Sequence, residues 1–347
     1  MTARPRAAAV SCALLLAIAG LLALQVTRPW SATAARPWPV PSSQALPRVD
    51  LGVTTAALAR DSARPWQPAD LQQVNAFEQD ARRHTDIVMW FADWAHVANF
   101  DARQAAAVAA RGSVPEVSWE PWDSSRPLGA AQPAFRLIGI IRGAHDGYIE
   151  RWAREIAAYR RPVLLRFAQE MNGRWYPWSE SANGNHRGEF VRAWRHVHAI
   201  FARAGASNAR WVWAPVDGQV RAEQYPGPRL VDVVGLSGFV AGERVFRSPW
   251  RPFATMFGPS LDAVHALAPG KPVALAEVAA AQTGGDKAAW IAQMFREIRR
   301  RPYIRSIVWF NVRKEADWRI ESSPGAERAF AASLSSLSQV VRRGPGT

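Results

Sequence analysis

The chain has 347 residues, 48% of them hydrophobic, which suffices for one large core and excludes a globally disordered polymer. Its formal net charge of +14 comes almost wholly from arginine, because lysine occurs only at Lys271, Lys287 and Lys314. The basic residues are scattered rather than blocked, which argues against a nucleic-acid surface and for a solvated one suited to an anionic lipid or an acidic polysaccharide.

Arg4 and Arg6 precede an apolar stretch from Ala7 to Val26. That order is the one found in export signals, and the run is also long enough for an uncleaved anchor. Ala32-Thr33-Ala34 offers a cleavage site, so residues 1–34 read as a signal peptide or signal anchor. Both readings keep the arginines inside and export the rest. The domain is then periplasmic, secreted, or tethered to the outer face of the inner membrane, with membrane contact through this segment alone. The single cysteine, Cys12, falls in this segment, leaving no disulfide or thiol chemistry beyond it. Residues 35–48 carry Pro37, Pro39, Pro41 and Pro47 and read as a stiff linker.

Eight short apolar runs follow: Val49–Thr55, Asp86–Trp94, Val114–Glu120, Pro162–Glu170, Arg210–Pro215, Val231–Phe239, Pro272–Val278 and Ile304–Asn311. Helical periodicity separates several of them. Asp146 is placed to cap a helix with Ile149, Trp152, Ala153 and Ile156 on one face. Phe190, Trp194, Val197 and Phe201 mark a second, and Ile291, Met294, Phe295 and Ile298 a third. Phe330, Leu334, Leu337 and Val341 mark a closing helix. Apolar strands alternating with helices predict a parallel sheet buried on both faces. Eight of them, with no Gly-rich fingerprint after the first, favour a single α/β (β/α)8 TIM barrel over residues 49–341 rather than a dinucleotide-binding sheet.

Chemistry concentrates at the end of the fourth run. Glu170 follows an apolar strand, and Trp175, Tyr176 and Trp178 come directly after it. A carboxylate at the C-terminal end of a barrel strand is a candidate catalytic acid, and aromatic faces beside it suit a sugar ring. Glu277 ends the seventh run and can converge with Glu170 at the barrel mouth. Retaining glycoside hydrolysis needs such a pair, one carboxyl protonated and one ionised. By strand alternation Arg166 points inward with Glu170, where it would hold the charge on Glu277 or form a structural ion pair. The seven histidines show no His-Glu-x-x-His pattern, and no Gly-x-Ser-x-Gly elbow occurs.

The stretch from Arg166 to Trp178 resembles the acid/base motif of glycoside hydrolase family 26, the β-mannanase family, whose usual pattern is Arg-Phe-x-His-Glu-Met-Asn-Gly-x-Trp-Tyr-Pro-Trp. Residues 271–277 resemble its nucleophile strand, 113–121 its third strand and 208–215 its fifth. The resemblance implies a (β/α)8 retaining glycosidase that needs no metal or other cofactor. It makes Glu170 the acid/base and Glu277 the nucleophile, supported by Arg166. It implies substrate contacts from Gln169 and a sugar floor at Trp309, with Trp119, Trp175 and Trp178 as candidates for neighbouring subsites. For each Trp, core packing is the competing reading. Asn172 would contact sugar or hold the loop. Two departures stand out: Gln169 replaces the family's His, and Phe239 replaces the Tyr of Gly-Leu-Asp-Gly-Tyr-Asn.

The expected protein is thus an exported, monomeric hydrolase of β-linked polysaccharide, first an endo-β-1,4-mannanase. A mixed-linkage β-glucanase or an exopolysaccharide-trimming hydrolase is the alternative within the same chemistry. A non-catalytic carbohydrate-binding barrel is the alternative of another class. Nucleic acid is not an expected partner.

Overall fold

The computed structural model describes residues 48–59 and 64–340. The expected signal segment, nearly all of the linker, Cys12 and Val341 lie outside the described residues. Eight strands form one closed parallel barrel in chain order: β1 (Asp50–Thr55), β2 (Ile87–Asp93), β3 (Val114–Glu120), β4 (Val163–Phe167), β5 (Ala209–Trp213), β6 (Val233–Val240), β7 (Val273–Ala280) and β8 (Ile304–Asn311). The barrel closes where β1 pairs with β8, from Asp50 opposite Ser306 to Thr55 opposite Asn311.

Helices wrap the strands: α1 (Gln72–Ala81), α2 (Ala102–Ala110), α3 (Leu137–Ile141), α4 (Asp146–Tyr159), α5 (Glu189–Arg203), α6 (Glu243–Phe246), α7 (Phe253–Leu267), α8 (Lys287–Arg300) and α9 (Pro324–Val340). The expected apolar faces are the buried ones, Ile149, Trp152, Ala153 and Ile156 on α4 and Ile291, Met294, Phe295 and Ile298 on α8. The alternation lapses after β5, where a 3-10 turn at Ala222–Gln224 precedes β6. Asp146 is not a cap: it is the first residue of α4, and its carboxylate pairs with His196 at 2.6 Å.

Strand alternation sorts the core into two parts. Val88, Trp90, Val117, Trp119, Phe167 and Trp309 face outward into the main helix-packed cluster. Ile87, Met89, Leu164, Val212, Ala214, Ala274, Ala276 and Val308 form a separate cluster inside the barrel. The outer cluster explains most of the tryptophan, because wide flat rings fill the gap between sheet and helices.

Gly52 shows how closely neighbouring strands approach. A Cβ there would lie 2.8 Å from Val308 Cγ2, 3.1 Å from Ile87 Cβ and 3.2 Å from the Ile307 carbonyl. Gly52→Ala should therefore destabilise the barrel by about 1–3 kcal/mol through overpacking. An unchanged urea midpoint would show that the strands yield at no cost.

Candidate active site

The site is built around Arg166. This residue lies beside Ser118 in the β3–β4 register, and its side chain is fully buried inside the barrel. Nη1 donates to Glu277 at 2.6 Å and to Ser118 Oγ at 2.9 Å, and Nη2 donates to Ser237 Oγ. One guanidinium therefore ties β3, β4, β6 and β7 together. Burial pulls its pKa down, but the charges of Glu277, Glu170 and Glu116 more than reverse this and leave it above the ordinary value.

Glu277 reaches Arg166 through an irregularity. Along β6 and β7, Leu236 pairs with Leu275 but Ser237 pairs with Glu277, so Ala276 is an extra residue on β7. Strict alternation after the inward Ala276 would turn Glu277 outward. The bulge turns it back toward the barrel axis, the usual work of a bulge beside a site.

Glu170 is also off the regular strand. The β4 strand ends at Phe167, and Ala168 and Glu170 take left-handed conformations, with φ of 47° and 56°. Two neighbouring strand ends hold this backbone: Ala168 N–H donates to the Trp119 carbonyl at 3.1 Å, and Glu170 N–H to the Ala214 carbonyl at 2.7 Å. Burial, then the nearby charge of Glu277, pushes the Glu170 carboxyl up to about 7, against the opposing pull of Arg166 and of a hydrogen bond from Trp175. Trp175 Nε1 donates to Glu170 Oε2 at 2.9 Å. Its ring folds flat over Gly173, where a Cβ would stand 2.7 Å from the indole, so only glycine permits this pose.

Glu170 and Glu277 open into one cleft of about 740 Å³, a size suited to a few sugar rings. Its aromatic lining is Phe91, Trp122, Trp175, Tyr176, Phe239, Phe246 and Phe310, with Glu120, Asp217 and Glu315 as further carboxyl groups. Among the described residues no group of three or more His, Cys, Asp or Glu is arranged to hold a metal ion. Two carboxyl groups in one cleft, one buried with a raised pKa and one paired to a buried cation, can supply a proton donor and a nucleophile.

The sequence pattern of glycosyl hydrolase family 26 matches residues 140–317, more than half of the chain. The chain belongs to glycosyl hydrolase family 26. It is 33% identical over 274 residues to endoglucanase H of Acetivibrio thermocellus, covering 76% of this chain and 29% of that protein. It is 29% identical over 110 residues to a mannan endo-1,4-beta-mannosidase of Bacillus subtilis, covering 30% of this chain and 29% of that one. The chain thus spans less than a third of each of these relatives. In fold it is similar to the catalytic domain of a family 26 endo-beta-1,4-mannanase from Bacillus sp. JAMB-750, with a TM-score of 0.63 at 16% identity, covering 83% of this chain and 86% of that one.

Within this family 26 barrel, several expected substrate contacts prove to be elsewhere. Trp119 faces outward, fully buried among Trp94, Tyr148, Trp152 and Phe201, with Nε1 donating to Tyr148 Oη at 3.1 Å. Trp309 also faces outward, against Phe330, with Nε1 on the Trp318 carbonyl at 3.0 Å. The inward neighbour Phe310 lines the cleft instead, so the expectation missed by one residue. Trp178 is fully buried, stacked on Tyr176 at 4.3 Å, with Nε1 donating to the Gln169 carbonyl at 2.7 Å. No sugar can stack on these three rings. Asn172 holds the loop rather than a sugar: its amide donates to the carbonyls of Val216 and Gln219 and accepts from Val216 N–H. Gln169 is buried and donates to Glu120, so it influences the cleft through that carboxyl. Of the expected rings only Trp175 lines the cleft.

Sequence reasoning passed over Glu120, Ser118 and Ser237. Glu120 carries the same signal as Glu170, a carboxylate closing an apolar run. The serines carry no signal until the strands are registered.

Trp178→Ala should lower stability by about 3–5 kcal/mol, the cost of emptying a buried aromatic site. Trp175→Ala, on a ring 36% exposed, should lower it far less. Denaturant midpoints of the two variants compare them, and equal losses would contradict this placement.

Proposed function

We propose that the chain is a retaining hydrolase of β-linked polysaccharide, with Glu170 as acid then base and Glu277 as nucleophile. The observation that carries this reading is the unequal environment of the two carboxyl groups. Glu277 is bonded to Arg166, whereas Glu170 is buried without a cation of its own and pushed up to about 7. At neutral pH a proton is therefore available on Glu170. Trp175 N–H already donates to Oε2, so Oε1 is the favoured oxygen for the proton, from which it passes to the departing glycosidic oxygen. Glu277, steered by Arg166 from beneath, attacks the anomeric carbon. Glu170, now ionised, takes a proton from water as the glycosyl-enzyme is hydrolysed.

For the sugar, a gluco-configured β-glycan is the first reading. The likeness to endoglucanase H extends over 76% of this chain, far beyond that to the mannosidase. Gln169 and Phe239 also depart from the family pattern that suggested mannan. β-1,4-Mannan is the second reading, supported by the Bacillus subtilis relative. Export belongs to the same proposal, on the evidence of Arg4, Arg6 and the apolar run to Val26, since polymeric substrate lies outside the cell.

A reducing-sugar assay on β-glucan, mannan and xylan tests the activity. Glu277→Gln is the appropriate control, because an amide keeps a partner for Arg166, whereas alanine would leave that cation buried and unpaired at about 3–5 kcal/mol. Turnover should vanish in Glu277→Gln, and persistence there would exclude the assigned nucleophile. Glu170→Ala, given an aryl glycoside whose leaving group needs no proton, should show a burst, then stall, then recover with azide. An inverted anomer or a lack of azide rescue would overturn the roles.

The pH profile gives an independent check. Activity should fall as pH rises through about 7, when Glu170 loses its proton. Trp175→Phe removes a hydrogen bond that stabilises the ionised form, so the alkaline limb should move to higher pH. Movement to lower pH would show that Trp175 acts otherwise.

A further inference from the structure

Two carboxyl groups suffice for the chemistry, yet a third, Glu120, lines the same cleft. It closes β3 and is only 4% exposed. Both of its oxygens are held: Oε1 accepts from Gln169 Nε2, and Oε2 accepts from Trp122 Nε1 at 3.1 Å. Neither donor is charged. The cation that acts on it, Arg166, is bonded instead to Glu277.

This setting has two consequences. First, the side chain cannot follow a ligand, because it is buried and pinned at both ends of the carboxyl. Second, each oxygen has a lone-pair site beyond the one its N–H donor uses. Burial, opposed by those two hydrogen bonds, pushes the group up to about 8, so near neutral pH it also carries a proton to give. A fixed group that both donates and accepts is matched to a hydroxyl, the group whose position distinguishes one sugar from its epimer. Rejection of a misplaced hydroxyl follows, because the pinned carboxyl would be left without its partner.

We propose that Glu120 is a specificity-determining residue: held by Gln169 and Trp122 beside Glu170 and Glu277, it hydrogen-bonds one hydroxyl of the sugar in the cleft and selects among β-linked glucose, mannose and xylose units. The inference rests on the proposed sugar-binding role of the cleft. It gives the Gln169 departure a function, since Gln169 reaches substrate by positioning Glu120.

The test separates this inference from the catalytic one by reading binding rather than turnover. Cello-, manno- and xylo-oligosaccharides of equal length are titrated calorimetrically into Glu277→Gln, which should not consume them, and into the same protein carrying Glu120→Ala. The parent should prefer one series by about tenfold or more. Glu120→Ala should reduce that preference by about fivefold or more, weakening the preferred series while changing the others by less than about twofold. Glu120→Gln keeps one donor and one acceptor, and its NH2 can face the otherwise unpartnered Gln169 Oε1 once that amide turns over, so it should retain most of the preference. If Glu120→Ala fails to fold, Glu120→Asp should reduce the preference by about threefold, because it withdraws the carboxyl by one methylene. Equal weakening of all three series, an unchanged preference, or a parent without preference overturns the inference. Hydrolysis by the unsubstituted chain is measured in parallel. Hydrolysis with no Glu120-dependent preference defeats this inference alone, and a Glu120-dependent preference without hydrolysis defeats the catalytic reading alone.

Discussion

The site depends on one buried cation among several acids. Arg166 has no exposed surface, and removing a guanidinium from water costs several kcal/mol unless it is paired and hydrogen-bonded. Glu277, Ser118 and Ser237 meet that need directly. The remaining carboxyl groups do not touch it. Burial raises Glu116 and Glu170 to about 7, Glu120 to about 8 and Asp217 to about 6. One cation can fully support one anion here, and the geometry gives that place to Glu277. In the proposed mechanism, the division of labour between nucleophile and proton donor follows from which acid reaches the guanidinium. Nothing in the chemistry of a glutamate by itself would have separated them.

Much of this was legible in the sequence. Ile304–Asn311 and Val114–Glu120 were read with the boundaries the strands have, because β-rich runs between clear breakers leave little choice. Glu170 and Glu277 were singled out by the paired resemblance of their strands to the family's motifs, not by the local signal alone, which Glu120 also carries, and the structure brings both into one cleft. The aromatic residues were harder. Trp119, Trp178 and Trp309 differ in sequence in no evident way from rings that stack on ligand, and which face a strand residue presents depends on register. Trp309 and Phe310 show this directly, since adjacent residues on β8 go to opposite sides of the sheet. Tryptophan excess in this chain mainly reflects the helix-packed outer core. The cleft itself draws on Phe239, Phe246 and Phe310 as much as on tryptophan. The 3-10 connection after β5 was equally out of reach, because irregular backbone has no period to detect.

Both candidate catalytic carboxyl groups stand where regular geometry fails. Alternation was invoked to turn Arg166 and Glu170 inward together, but β4 stops at Phe167 and the outcome is reached by two left-handed residues instead. For residues other than glycine such conformations cost about 1–3 kcal/mol each, and they persist only where the surroundings over-determine them. Here the surroundings are specific. The end of β3 accepts a hydrogen bond from Ala168, and the Ala214 carbonyl beyond β5 accepts one from Glu170, so the strained turn is gripped on both sides. Asn172 adds a third tie, to the backbone at Val216 and Gln219. The bulge at Ala276 does the corresponding work on β7, where an extra residue rather than a turn re-aims the side chain. Strict alternation on β7 would turn Glu277 toward the helices, whereas on β4 it would keep Glu170 on the inward side that it reaches here through the turn. The local departures from strand geometry convert a packed barrel end into a cleft with two aimed acids, and the neighbouring strand ends supply the hydrogen bonds that hold those departures in place.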